Sequence, residues 1–287
     1  MQAIAKDIYI ETHFPGVTLG VIITPVGLIQ IDAPPSIEDG RSWRAAQLGL
    51  GGGMERVLIN LDAHADRTMG VRNMECTTIA HEKTAQVFRS RPGIFKAQSD
   101  ETGADWERLT GIGNIRWTPP EITFTQQMTI HWGDAPVVLE SHPGPSTGAC
   151  WVSVPDDRVV FVGDAVVPNQ PPFLANADIP TWLETLKKLL SPTFRGYTIV
   201  SGRKGVVDLD DVRNQIKFLK KVDARLVRMA GKKNLPEATE HLVAALTDEF
   251  EIPSARKSQY HARLRYGLFH YFSRHFHDLN PIPLEDQ

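Results

Sequence analysis

The sequence predicts an α/β fold of the α+β kind, in which layered sheets and helices are followed by a helical C-terminal region. Short β-branched and aliphatic runs separated by turns recur through about the first 200 of the 287 residues. Between residues 56 and 89 strand-like and helical runs alternate, which is typical of layered α/β packing. From about residue 235 onward the pattern is helical.

Composition excludes several classes of protein. Apolar residues make up 41% of the chain and charged residues 23%, as in a globular protein. A net charge of −3 gives no electrostatic reason to expect nucleic acid or an anionic membrane as partner. The two cysteines, Cys76 and Cys150, are too few for a disulfide scaffold and fit no metal spacing, so buried inert thiols are expected. No signal peptide and no membrane-spanning run is recognisable, which favours a cytoplasmic protein.

The first strands are predicted at residues 8–10, 17–24 and 27–31. Asp32 follows the last of them, and we expect it to accept hydrogen bonds from neighbouring backbone N–H groups. A helix over residues 38–50 precedes the strand at residues 56–59. His81 follows a later strand, and its position predicts a surface or helix-capping histidine.

The most informative stretch runs from Val57 to Gly70. A short aliphatic strand is followed by a polar segment that carries Asp62, His64, Asp66 and Arg67. Charged side chains just past the end of a buried strand form many α/β sites. A solvated loop without function is the alternative from this segment alone.

Residues 91–120 are irregular and rich in glycine and proline, and we interpret them as a substrate-facing flap. The strands between residues 122 and 162 have the spacing of an antiparallel meander. His142 and Asp164 each stand where a strand of this region ends, so together with Asp62 and His64 they form a candidate set.

The C-terminal region begins after helices predicted at residues 181–190 and 210–227, and the domain division is set at 1–228 and 229–287. An aromatic and aliphatic stripe recurs every three or four residues, at Tyr260, Leu264, Leu268, Tyr271 and His275. This stripe is predicted to pack on the main domain, with a homodimer interface as the alternative.

The ordered motifs resemble those of the metallo-β-lactamase-fold hydrolases over most of residues 5 to 225. They comprise Ile31-Asp32, I-N-L-D-A-H-A-D-R-T-M-G at 59–70, S-H-P-G-P-S-T-G at 141–148, V-F-V-G-D at 160–164 and S-G-R-K-G at 201–205. The resemblance implies a four-layer αββα sandwich, here with a C-terminal helical extension. It also implies a site for one or two zinc, iron or manganese ions.

One half of the family's metal site keeps side chains that can bind a metal, although Asp62 stands where the family has its first histidine. The positions that match the ligands of the first ion carry Asp62, His64 and His142, with Asp164 at the bridging position. Imidazole and carboxylate groups suit zinc, and also manganese or iron(II). The resemblance therefore implies one divalent ion, zinc first, on these four residues, or none.

The other half is altered, because arginine replaces two of its histidines. The matching positions carry Asp66, Arg67 and Arg203. A guanidinium group remains protonated and offers no lone pair to a metal, so we expect no second ion and expect pairing with Asp66 instead. We expect Asp66 or Asp164 to orient an attacking water, and Arg67 or Arg203 to stabilise an oxyanion or anchor an anionic group.

Three functional hypotheses follow from these residues. The first is a metal-dependent hydrolase of an ester, lactone, amide or phosphoester, with a small-molecule substrate. The second is a non-catalytic protein of the same fold that binds an anionic small molecule or a partner through an arginine-filled site. Iron-based redox chemistry is the third and weakest hypothesis.

Overall fold

The computed structural model describes residues 1–91, 95, 96, 101–110, 112 and 114–276. Its strands, in chain order, are β1 (Gln2–Ala5), β2 (Ile8–Glu11), β3 (Leu19–Ile23), β4 (Gly27–Ile31), β5 (Glu55–Asn60), β6 (Thr77–His81), β7 (Phe95–Lys96), β8 (Asn114–Ile115), β9 (Ile122–Phe124), β10 (Gln127–Ile130), β11 (Val137–Ser141), β12 (Cys150–Val154), β13 (Val159–Gly163), β14 (Thr198–Ser201) and β15 (Gly205–Val207). Its helices are α1 (Ile37–Gln47), α2 (Ala65–Thr68), α3 (Glu82–Ser90), α4 (Ile179–Leu189), α5 (Leu209–Gly231), α6 (Glu240–Thr247) and α7 (Lys257–Phe276).

The first large sheet has the strand order β1-β2-β3-β4-β5-β6-β9. Strands β1 to β4 form antiparallel neighbours, whereas β4, β5, β6 and β9 run parallel to one another. The parallel strands are connected through α1, α2 and α3, which confirms the alternation seen between residues 56 and 89.

The second large sheet has the order β10-β11-β12-β13-β14-β15. Strands β10 to β13 form the expected antiparallel meander, and β14 then pairs parallel to β13. The prediction was wrong for residues 122–124, because this segment pairs with β6 in the first sheet. Since a turn of two residues separates β9 from β10, spacing alone did not reveal that the chain changes sheets there.

An apolar core lies between the two sheets, and helices cover their outer faces. Ile29 and Ile59 of the first sheet share this core with Val152 and Phe161 of the second. Trp43 of α1 packs on the outer face of the first sheet. Helices α4 and α5 cover the second, and their apolar side chains form one cluster with those of α6 and α7. The αββα sandwich with a C-terminal helical extension is therefore confirmed.

Helix α5 shows how local sequence sets these boundaries. Asp208 and Asp211 form a reciprocal capping box at its start, which satisfies backbone N–H groups of the first turn. Its buried face recurs at helical spacing through Val212, Leu219 and Leu226. The predicted domain boundary at residue 228 falls inside this helix.

Most of the C-terminal stripe packs into the chain's own core. Tyr260, Leu264, Leu268 and Tyr271 are buried, whereas His275 is exposed. Among the described residues no helix combines the length and apolar character that a membrane crossing requires.

Candidate functional site

The site lies where carboxyl ends of parallel strands meet at the edge shared by the two sheets. Asp32 follows β4, the segment from Leu61 to Arg67 follows β5, Asp164 follows β13, and Arg203 follows β14. Because β4 pairs parallel to β5 and β13 pairs parallel to β14, residues distant in sequence converge here.

Arg67 is fully buried and binds three carboxylates. Its Nη1 lies 3.2 Å from Asp32 Oδ2 and its Nε lies 3.2 Å from Asp62 Oδ1. Its Nη2 donates to Asp164 Oδ1. A side chain on Gly202 would lie 2.8 Å from Nη1, so the missing Cβ makes room for this guanidinium. Arg67 is therefore bound inside the site, on the Asp62 side as well as the Asp164 side.

Arg203 occupies the neighbouring position. Its Nε and Nη2 donate to Asp164, and its Nη1 donates to Asp66 Oδ2 at 2.7 Å and to the Gly16 carbonyl at 3.1 Å. Its Nη2 also lies 3.1 Å from His64 Nδ1. The pairing of an arginine with Asp66 is thus confirmed, and one guanidinium holds residues from both predicted halves of the site.

Asp105 connects Arg203 to the C-terminal extension. Its carboxylate lies 3.4 Å from Arg203 Nη1 and 3.3 Å from Arg263 Nη2, and it also accepts from Arg256. The backbone N–H of Trp106 donates to Asp66 Oδ1 at 2.7 Å. The described part of the predicted flap therefore covers the Asp66 side of the site. Residues 92–94, 97–100, 111 and 113 of that flap lie outside the described residues.

Phe173 stacks between two of these cations. The guanidinium carbons of Arg203 and Arg263 lie 4.4 and 4.1 Å from its ring centre, and the His64 ring lies 4.3 Å away. Cation–π contacts of this kind stabilise cations that have lost their water. Sequence reasoning missed Phe173, Asp105 and Arg263, because their nearness to the site depends on long-range packing.

Burial and the guanidinium groups set the charges of the carboxylates. Burial raises the pKa of Asp32 to about 7, although Arg67 opposes this shift. Burial likewise raises the pKa of Asp62 and Asp66. For Asp164 burial acts in the same direction, but Arg203 and Arg67 outweigh it and lower the pKa. Asp164, which both arginines contact, is thus the most firmly ionised carboxylate of the group.

His64 is held as a neutral side chain. Burial, with Arg203 as the next cause, lowers its pKa well below the usual value. Its Nδ1 accepts from the backbone N–H of Asp66 at 3.3 Å and faces the donor on Arg203. Because Nδ1 is the acceptor, the imidazole proton is assigned to Nε2. That atom is buried and has no hydrogen-bond partner among the described residues.

His142 lies apart from this network. Its ring stacks on Trp151 with centres 3.8 Å apart, and its Nε2 is 3.8 Å from Glu140 Oε2. Neither ring nitrogen forms a hydrogen bond to any residue that the structure describes. Burial lowers the pKa of His142, so the ring is neutral.

The side chains in this arrangement do not fit a divalent ion. Arg67 contacts Asp62, Arg203 contacts His64, and both contact Asp164. An ion bound there would face two buried cations that cannot lose their protons. Within the described part of the chain no three His, Cys, Asp or Glu residues are placed to hold a metal. The half predicted to stay open for one ion is thus occupied, because the Arg67 side chain reaches across to Asp62.

A pocket of about 300 Å³ opens beside the buried network. Asp62, His64, Asp164 and Phe173 form part of its lining. Other lining residues come from α3, the loop before β12 and α7, and include Lys83, Thr84, Arg91, Ser146, Thr147 and Arg274. Lys83 and Arg274 form no ion pair with a carboxylate of the described residues, so the pocket presents unneutralised positive charge. Arg67 and Arg203 do not line it.

Three other predictions concern single residues. Asp32 Oδ1 accepts from the Leu61 N–H at 3.0 Å, which confirms its role as a backbone acceptor. His81 caps α3 by accepting from the Lys83 N–H, also as predicted. Burial raises the pKa of Cys76 to about 11 and that of Cys150 well above its usual value, so both thiols are protonated at neutral pH.

The sequence model of the metallo-beta-lactamase superfamily matches residues 38–195, which is more than half of the chain. The chain belongs to the metallo-beta-lactamase superfamily. The match includes the segment with Asp62, His64, Asp66 and Arg67, together with His142 and Asp164. A search of curated proteins found no match.

Solved structures show the same fold at low sequence identity. A metallo-beta-lactamase from Pontibacter korlensis aligns with a TM-score of 0.60 at 15% identity, over 76% of this chain and 97% of the other. DIM-1 metallo-beta-lactamase aligns with a TM-score of 0.59 at 16% identity, over 77% and 96%.

A third structure aligns over nearly all of this chain. It is the stereoselective inverting sec-alkylsulfatase Pisa1 from Pseudomonas sp., with a TM-score of 0.65 at 11% identity. The alignment covers 98% of this chain and 51% of the alkylsulfatase, so this chain spans about half of that protein. These likenesses show that the three proteins share the fold of this chain.

Proposed function

We propose that this protein binds a small organic anion in the pocket beside the arginine network, and that it does so without a metal ion. The observation that carries the proposal is the pairing of Arg67 and Arg203 with the carboxylates and histidine of the former metal centre. Because the guanidinium groups supply the positive charge that ions supply elsewhere in the family, the centre is stable without them.

The pocket lining supports an anionic ligand. Each carboxylate that faces the pocket is neutralised within the protein, Asp62 by Arg67 and Asp164 by both arginines. Lys83 and Arg274 in the same lining have no such partner among the described residues, so the net field favours a negative headgroup. Phe173, Val87 and Pro145 offer apolar surface to the remainder of the ligand.

Metal-dependent hydrolysis is the second candidate, and one observation favours it. Neither ring nitrogen of His142 forms a hydrogen bond to a described residue, so either nitrogen could bind a metal ion. With zinc, manganese or iron on Asp62, His64, His142 and Asp164, the reaction would be hydrolysis of an ester, lactone, amide or phosphoester. This alternative requires the arginines to leave their present partners.

The test combines metal analysis with a ligand series of constant chain length. Purified protein is equilibrated with zinc, manganese or iron(II), desalted and analysed for metal. The same protein is titrated calorimetrically with hexanoate, hexyl sulfate, hexanol and hexylamine. We expect substoichiometric metal and binding of the two anions only.

Lys83→Met should weaken anion binding by about tenfold, because it removes a charged hydrogen-bond donor.

Lys187→Met is the matched control, since Lys187 is an exposed lysine of α4 that pairs with Glu184 outside the pocket. Its affinity for hexanoate should equal that of the unmodified protein. One full equivalent of bound metal, together with metal-dependent turnover of an ester or phosphodiester, would establish the second candidate instead. Equal binding of hexanol and hexanoate would contradict the anionic specificity.

A further inference from the structure

We infer that His64 acts as a fixed hydrogen-bond donor, through Nε2–H, to an oxyanion of the ligand in the neighbouring pocket. This inference rests on the proposed anion-binding function and assigns the contact that recognises the headgroup. It gives His64 a different role from that of a metal ligand, since the lone pair of its Nδ1 is already engaged.

The donors that face the His64 ring determine its tautomer. Nδ1 has two donors directed at it, the Asp66 backbone N–H at 3.3 Å and Arg203 Nη2 at 3.1 Å. Asp66 Oδ2 lies farther from Nδ1, at 3.5 Å, and an arginine is always a donor, so the shorter contact with Arg203 assigns the lone pair to Nδ1 and the hydrogen to Nε2. Arg203 is itself held by Asp66 and Asp164, which fixes the position of the donor that faces Nδ1.

The Nε2–H group of His64 is a hydrogen-bond donor that no described residue uses. His64 lines the pocket, is only 8% exposed, and its Nε2 has no partner in the described structure. A buried N–H group without an acceptor is unfavourable, and such groups in native proteins commonly mark a site for water, an ion or a ligand. An oxygen bearing negative charge is the strongest acceptor for this group.

His81 shows what a satisfied histidine of the same kind looks like. Its Nδ1 also accepts from the backbone N–H two residues later, that of Lys83, at 3.1 Å. Its Nε2 is bonded at 2.8 Å to the carbonyl of Thr125. The two histidines thus share a helix-capping geometry, and they differ in whether the protein itself supplies an acceptor for Nε2.

The surrounding residues complete an oxyanion site. Lys83 supplies positive charge, and the hydroxyl group of Ser146 is buried without a hydrogen-bond partner among the described residues. Phe173 packs on the His64 ring at 4.3 Å and lines the same pocket, where it can contact an apolar group of the ligand. The ligand class that matches is a small monoanion, carboxylate or sulfate, with a short hydrocarbon group.

The test is nitrogen-15 NMR of the histidine side chains in the full-length protein, with hexanoate and hexyl sulfate as probes. For His64 we expect a protonated, pyrrole-type Nε2 and an unprotonated, pyridine-type Nδ1 near neutral pH. The Nε2 signal should shift on saturation with either anion. His81 should show the same tautomer without a shift, because its Nε2 remains bonded to Thr125.

Two substitutions give the affinity readout. His64→Leu should lower the affinity for hexanoate by about tenfold or more, because a donor to a charged group is lost. His64→Gln retains an N–H group near the position of Nε2, so it should lose less. If His64→Leu does not fold, the NMR measurement on the unmodified protein still decides the question.

The possible failures can be told apart. A pyridine-type Nε2, or a His64 Nε2 signal that stays constant while hexanoate binds elsewhere in the pocket, overturns this inference and leaves the proposed function standing. If neither hexanoate nor hexyl sulfate binds, the proposed function fails and this inference fails with it.

Discussion

The two arginines of the site have the same charge and nearly the same burial, yet they hold different parts of the molecule. Among the described residues, the Arg67 guanidinium binds only carboxylates, those of Asp32, Asp62 and Asp164, which all follow strands of the two sheets. Arg203 binds two carboxylates of the site, His64, and Asp105 of the segment that contacts α7. Arg67 thus stabilises the sandwich itself, whereas Arg203 connects the sandwich, the histidine and the C-terminal extension.

This difference bears on how a metal centre can be replaced. On the Arg67 side, three buried carboxylates need positive charge in order to lie close together in the folded protein. The arginine that replaces a histidine there has a structural role. On the Arg203 side the guanidinium also fixes the hydrogen on His64, and so determines what the pocket offers to a ligand. Arg67 therefore replaces the charge of a metal ion, whereas Arg203 also creates the hydrogen-bond donor that His64 offers to a ligand.

The largest effect is expected from Arg67→Met. This change leaves three buried carboxylates without their common cation, and removal of one partner from a buried ion network costs about 3–5 kcal/mol. Urea denaturation would measure the loss in free energy of unfolding. Arg213→Met, in an exposed pair with Asp210, is the control and should cost less than about 1 kcal/mol. Similar losses in the free energy of unfolding for the two variants would contradict the structural role of Arg67.

The second effect is a dependence of stability on pH that arises from Asp32. Its pKa is raised from 3.8 to about 7, chiefly by burial, so the folded state binds this proton more tightly than the unfolded state does. The contribution of Asp32 is therefore fully present below about pH 4 and is lost as the pH rises through about 7. Denaturation at pH about 5 and about 8 measures it.

Asp32→Asn isolates that contribution. Asparagine tolerates the left-handed backbone at this position, where φ is 58°, and its side-chain oxygen can still accept from Leu61. The change should remove part of the decrease in stability between pH about 5 and about 8. An unaltered pH profile in this variant would show that the proton resides elsewhere.

The smallest effect is expected from His142→Phe, which separates the two histidines of the predicted metal set. Phenylalanine can retain the stacking on Trp151 and removes two ring nitrogens that form no hydrogen bond to a described residue. We expect stability to change by no more than about 1 kcal/mol, with a gain as the favoured direction. Calorimetry with hexanoate should show unchanged binding, in contrast to His64→Leu. A large loss of anion affinity would place His142 in the binding site.

The fold, the convergence of strand-end side chains and the pairing of an arginine with Asp66 could be predicted from the sequence, but the other partners of the two arginines could not. Asp32, Asp62, His64 and Asp164 converge because each follows a strand in a recognisable order. The Arg67 side chain is long, and its conformation decides which carboxylates it binds, including Asp62. The spacing of residues in the sequence does not determine that conformation. The contact of Asp105 with Arg263 joins segments 158 positions apart and depends on how α7 packs.

The most direct test of the central claim is a crystal structure of the unmodified protein grown with excess zinc, with anomalous data collected at the zinc edge. We expect guanidinium density from Arg67 and Arg203 between the carboxylates, and no anomalous peak within bonding distance of Asp62, His64 or Asp164. A well-occupied zinc peak bonded to these residues, with the arginines displaced, would contradict it.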